Sequence, residues 1–278
     1  MRRSTIIAAV VLSPIVALVP LGTIIFATNA LVVSWVFYLY FNVLQALLIY
    51  RIFQNTRVET KTWLLCLFFT ELVPPWFLLR LQELPPWNFF YALNWESDVN
   101  IFQQFYGCFL GVGISEELCK AAILFWLVKR AGKLLIPQSA AFYGLIAGLG
   151  FGIAELVHKL MITAPLHRIA DFAQYGYFAI NGMFSHAIWT SIAGYFISFA
   201  ALYPKRKYSL WTVAILVPAL LHTISNMTHE LINRGVSLLC LALLMTLTYL
   251  ANRVKISPTL RNRASSQPDL GCAKAPAP

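Results

Sequence analysis

The chain has 278 residues, 59% of them hydrophobic and 12% charged, against about a quarter charged in a soluble domain. One water-soluble core cannot hide that much apolar surface, so a soluble globular enzyme is excluded and the long uncharged runs are assigned to lipid. The net charge of +10 does not indicate nucleic acid, because the basic residues fall in short clusters between apolar runs, as in cytoplasmic membrane loops.

At about 20 residues per crossing, the sequence predicts an all-α, polytopic transmembrane bundle of about eight spans. The first covers Ser4 to Ala27 and carries Pro14 and Pro20. Met1-Arg2-Arg3 before an apolar run resembles a signal peptide, but no small-residue cleavage site closes the run, so a retained helix is expected. The second span covers Ala30 to Tyr50 and the third Thr62 to Leu79, with Glu71 beside Pro74 and Pro75. An outer loop, Leu81 to Asn100, is rich in Trp, Phe, Tyr and Pro and is expected to lie at the interface.

The fourth span is long, Ile101 to Val128. The fifth, Pro137 to Leu160, carries Gly144, Gly148 and Gly152 at every fourth position, a spacing that bares one face for close helix packing. The sixth is Tyr177 to Tyr203, the seventh Leu210 to Met227 and the eighth Val236 to Leu250. Residues 1–256 thus form one membrane domain, and the Ser-, Pro- and Ala-rich tail 257–278 is expected to be a disordered cytoplasmic segment. The five cysteines show no CxxC pair and read as small apolar residues in helices.

With both termini inside, sixteen of the 21 basic residues fall in cytoplasmic loops. Arg80, Lys159, Arg168 and Arg234 fall outside, and Lys120 lies within a span. That asymmetry predicts an N-in, C-in topology.

Charges within a bilayer are expensive, so each calls for a reason. Glu116, Glu117 and Lys120 form an E-E-x-x-K group on the fourth span, with Glu116 and Lys120 one turn apart. A self-neutralising structural pair is the plainer reading. It leaves a second carboxylate beside the first, and two adjacent acids do not both ionise cheaply in low dielectric. A carboxylate in that setting suits general-base work. Glu155 lies on the glycine-rich fifth span; His186 and Thr190 lie one turn apart on the sixth, His222 and Asn226 on the seventh.

Depth links these groups. At about 1.5 Å per residue, Glu116 and His222 lie roughly 20 Å from the cytoplasmic ends of their helices, and Glu155, His186 and Asn226 roughly 26 Å. Four helices thus bring acid, imidazole and amide groups to one layer in the outer half of the bilayer. Glu71 lies nearer the middle of its span and is less clearly part of the set.

Such a set suits hydrolysis: a Glu base, an imidazole to orient water and a His–Asn pair to hold an oxyanion. No Ser–His–Asp order, GxSxG or HExxH is present. Glu and His are also zinc ligands, but no spacing demands zinc, so no cofactor is expected.

The segments Glu116-Glu117-Leu-Cys-Lys120, Phe151-Gly-Ile-Ala-Glu155, His186-Ala-Ile-Trp-Thr190 and Pro218-Ala-Leu-Leu-His222-Thr-Ile-Ser-Asn226 resemble, in order, the motifs of the PrsW family of intramembrane proteases. That family is similar in its core to the CAAX prenyl proteases, and the resemblance spans about residues 101–230. It implies a glutamate-dependent endopeptidase in a bacterial plasma membrane that cuts a membrane-anchored, single-span protein. The family's best-known target is an anti-sigma factor, cut on its extracytoplasmic side.

By motif position, the resemblance makes Glu116 the water-activating base and Glu117 its supporting acid, with Lys120 and Thr190 in support. Glu155 takes the second-motif position, His222 and Asn226 hold the oxyanion, and His186 is a further member of the site. Asn226 departs from the Asp often found there and fits a donor role only. Metal dependence is left open by the resemblance. Two rival readings stay beside it: a non-catalytic scaffold of the same fold, and a proton-coupled transporter using the same buried acids and histidines as a relay.

Overall fold

The computed structural model describes residues 59–95, 98–131, 136–163 and 172–227. The expected first, second and eighth spans and the tail lie outside the described residues. Among the described residues the chain is helical and holds no strand. The helices are α1 (Thr60–Leu72), α2 (Pro74–Leu81), α3 (Trp87–Trp95), α4 (Ile101–Tyr106), α5 (Ser115–Ala131), α6 (Pro137–Thr163), α7 (Phe172–Leu202) and α8 (Lys207–Met227). A π-helical stretch, Gly107–Ile114, joins α4 to α5, and a 3-10 turn, Pro204–Arg206, precedes α8.

The expected third span is broken in two. Pro74 and Pro75 have no N–H to give, so α1 ends at Leu72 and α2 restarts with Pro74 in its first turn. Together Lys61–Leu81 is long and apolar enough to cross a bilayer, as is Pro204–Met227.

The fourth expected span starts with a capping box. The Asn100 side chain accepts from the N–H groups of Phe102 and Gln103, and the Gln103 side chain accepts from the N–H of Asn100. The run does not continue as plain α-helix. Its wider π turns occupy the eight residues that contain Gly107, Gly111 and Gly113, directly ahead of the two glutamates. Such stretches are rare and frequent at functional sites.

The aromatic loop carries α3, which folds back antiparallel along the π stretch. A methyl added at Gly107 would lie 2.7 Å from the backbone nitrogen of Asn94, and one at Gly111 would lie 2.8 Å from the Phe90 carbonyl carbon. Those bare positions are what let α3 seat there.

The centre of the bundle is the pair α6 and α7. They run antiparallel, with Gly144 against the Thr190 carbonyl, Gly148 against the His186 carbonyl and Gly194 against the Ala140 carbonyl. The Ser191 hydroxyl donates across the seam to the Ala141 carbonyl, 2.9 Å. Small residues permit this approach, and close packing drives association where lipid offers no hydrophobic incentive. On the other flank α1 runs parallel to α6. The Thr70 hydroxyl reaches the Ala147 carbonyl at 2.7 Å, and the Glu59 N–H donates to the Tyr143 hydroxyl at 2.8 Å. Helices α5 and α8 run antiparallel to each other, with Glu117 beside His222 and Phe125 beside Trp211.

Candidate active site

Helix α5 supplies three charged side chains within about one turn, and α6, α7 and α8 each bring one partner to the cluster. Lys120 is the hub. It is fully buried, and its ammonium donates to Glu117 Oε1 at 2.7 Å and to His186 Nδ1 at 2.8 Å. Glu116 Oε2 lies 3.3 Å away. The sequence pairs Lys120 with Glu116 at one-turn spacing; the closer partner is Glu117, one residue on. The face of the Phe151 ring lies 4.3 Å from the ammonium and adds a cation–π contact.

Contacts fix the imidazole tautomers. A lysine ammonium is only a donor, so His186 Nδ1 accepts from Lys120 and its Nε2–H donates to Glu155 Oε2 at 2.6 Å. Burial of His186 and partial exposure of Glu155, 26% at the side chain, leave the carboxylate as the outward end of this chain. His222 Nδ1–H donates to Glu117 Oε1 at 3.2 Å, which in a neutral ring leaves the lone pair on Nε2. Glu116 Oε2 lies 3.8 Å from His222 Nδ1. The rings pack against one another and against Trp189, which stacks on His222 at 4.6 Å between centroids and meets His186 edge to face at 5.2 Å.

Five of the residues singled out from the sequence, Glu116, Glu117, Glu155, His186 and His222, therefore meet in one network with Lys120. Thr190 is buried one turn along α7, and its hydroxyl has no hydrogen-bond partner among the described residues. Asn226 stands apart: it is exposed near the end of α8 and makes no hydrogen bond to the cluster. Glu71 is buried in α1; among the described residues its Oε2 has no hydrogen-bond partner and it is not bonded to the network. Sequence reasoning did not single out Phe151 or Trp189. Both lie inside the motifs that carry the acid and the imidazole, but an aromatic residue in an apolar helix gives no signal that it faces a charge.

A family model described as PrsW family intramembrane metalloprotease matches residues 59–251. The chain belongs to the PrsW family. It is therefore an integral membrane protein of an intramembrane protease family, whose substrates are membrane proteins. No curated protein and no solved structure matches the chain.

Membership corrects one expectation. The sequence called for no cofactor, whereas this is a metalloprotease family. The residues fit a metal. Glu116, His186 and His222 each offer a ligand atom, all within 4.8 Å of one another and all on buried residues. Atoms on one tetrahedral zinc, each at about 2.1 Å, lie about 3.4 Å apart, so modest side-chain rotation would close the set. Two imidazoles and a carboxylate are a common catalytic zinc set. Glu116 Oε2 and Glu117 Oε2 are buried without a hydrogen bond among the described residues. Glu116 and Glu117 face the same single ammonium, a crowding of carboxylates that a bound cation would relieve. The spacing rules missed this because the ligands come from three separate helices.

Proposed function

We propose that this PrsW-family chain is an endopeptidase that cuts a membrane-anchored protein, of the anti-sigma-factor kind, in the outer half of the bilayer. The observation that supports it best is the buried network of two adjacent carboxylates, two imidazoles and one lysine, drawn from three helices. Polar groups of this kind within a bilayer are retained for chemistry.

Each residue has a part. Glu117 is the positioning acid: both its contacts, to Lys120 and His222, go through Oε1 and hold those groups in place. Glu116 is the proton acceptor. It is more accessible than Glu117, at 8% against 0%. A carboxylate has two oxygens, so Glu116 can hold the metal through one and take a proton from the attacking water through the other. His186 and His222 complete the metal set. Bound there, the metal would act as a Lewis acid towards the scissile carbonyl and activate water. The lone pair on His222 Nε2 makes it a ligand rather than an oxyanion donor. Asn226, on the exposed last turn of α8, is left to meet the backbone of the bound substrate.

The outer location rests on depth and charge. Counting from the ends that carry Lys129, Arg130, Lys205 and Arg206, the reactive groups lie roughly 22 to 27 Å along their helices. Basic residues mark the cytoplasmic end.

The test compares membrane proteomes of cells expressing the intact chain or Glu116→Gln, with new protein termini mapped in single-span proteins. Fragments that appear only with the intact chain establish the protease and name its substrate. Equal proteomes from equally abundant forms would favour the scaffold or transporter.

A further inference from the structure

The metal set and the lysine make overlapping demands. His186 has two ring nitrogens, and both are committed: Nδ1 accepts from the Lys120 ammonium at 2.8 Å, and Nε2–H donates to Glu155 at 2.6 Å. Glu116 Oε2 is also on the ammonium side, at 3.3 Å. Thus two of the three metal ligands already face a cation that belongs to the chain. A metal requires a lone pair on His186, and the one on Nδ1 is taken while Lys120 stays where it is. Lys120 has somewhere to go within its reach, because Glu117 Oε1 and the Phe151 face remain as partners for the charge at 2.7 and 4.3 Å. The four-carbon stem is flexible enough for such a shift.

We propose that the Lys120 ammonium holds the cation position of the site and competes with the metal for His186 and Glu116, so that Lys120 sets how tightly the metal binds. The proposal rests on the metal-dependent reading above. In the metal-free protein the lysine keeps the carboxylates and imidazoles gathered. On loading, the ammonium withdraws to Glu117 and Phe151. A substitution that removes the charge removes the competitor and leaves more negative charge around the metal.

The experiment uses the purified full chain in detergent, stripped of metal and titrated with Co²⁺, whose visible absorption reports binding without reference to proteolysis. Lys120→Met is expected to bind Co²⁺ about tenfold more tightly than the intact chain or better, a shift of about 1.4 kcal/mol. Equal or weaker binding by the variant, with the intact chain binding normally, would overturn the role of Lys120 and leave the metal site standing. An intact chain that takes up no Co²⁺ or Zn²⁺ would overturn both. Should Lys120→Met fail to fold, the intact chain answers alone. With ¹⁵N-labelled lysine, one equivalent of Zn²⁺ is expected to move the buried Nζ resonance; a resonance unmoved at full occupancy would sink the proposal.

Discussion

Glu116 and Glu117 are neighbours with different surroundings. Glu117 is sealed and bonded through Oε1 to two cationic or donor groups, whereas Glu116 is slightly exposed and lies near Lys120, at 3.3 Å, without a hydrogen bond to it. Neutralising the first therefore costs stability, and neutralising the second costs chemistry. Glu117→Gln leaves Lys120 with a weaker partner and loses the anchor of His222; breaking a buried pair costs about 3 kcal/mol or more. A lowered midpoint in thermal unfolding is expected for Glu117→Gln, with Glu116→Gln close to the intact chain. Equal loss in both would contradict the division of roles. At this scale the sequence was informative about identity but not about partners. One-turn spacing marked Glu116 and Lys120 as a pair, yet the closer pair is Lys120 with Glu117, since helix geometry allows both and the neighbouring helices decide. Asn226 was grouped with His222 by the same rule. In the structure it lies past the buried stretch of α8 and is exposed among the described residues.

Between α6 and α7 the backbones touch, and that contact positions chemistry as well as holding the fold. Gly148 lies against the carbonyl of His186, the residue that joins Glu155 to Lys120. Gly148→Leu is expected to push α7 away, break the 2.6 Å bond between His186 and Glu155, and abolish activity. Cleavage assays together with unfolding curves check this; an active, stable Gly148→Leu would show that the seam does not position the site. The glycine spacing and the apolar runs were legible in the sequence because packing and lipid burial act through composition and periodicity. The π stretch was not. Its turns coincide with the seat of α3 against Gly107 and Gly111, a tertiary contact with no local pattern. The division of the third span was foreshadowed only by the prolines at 74 and 75.

For the molecule as a whole, the metal reading makes activity conditional on a bound ion. A strong chelator is expected to stop cleavage by the purified protein and added Zn²⁺ to restore it; activity that persists through chelation would remove the metal from the reaction. The direction of insertion is also testable. A cysteine replacing exposed Tyr208 is expected to react with an impermeant thiol reagent only from the cytoplasmic side, and one replacing exposed Asp98 only from the outside. The reverse pattern would put the reactive layer in the inner half of the membrane.

His222 comes from α8, while both glutamates and Lys120 come from α5, about a hundred residues earlier in the chain. During synthesis the acids therefore enter the membrane well before the imidazole that completes their network. A nascent chain halted before α8 holds the carboxylates but lacks one of the three candidate metal ligands and the imidazole partner of Glu117. On the proposed reading such a chain is expected to cleave nothing until α8 has docked, and the order of the helices then works as a timer on the enzyme.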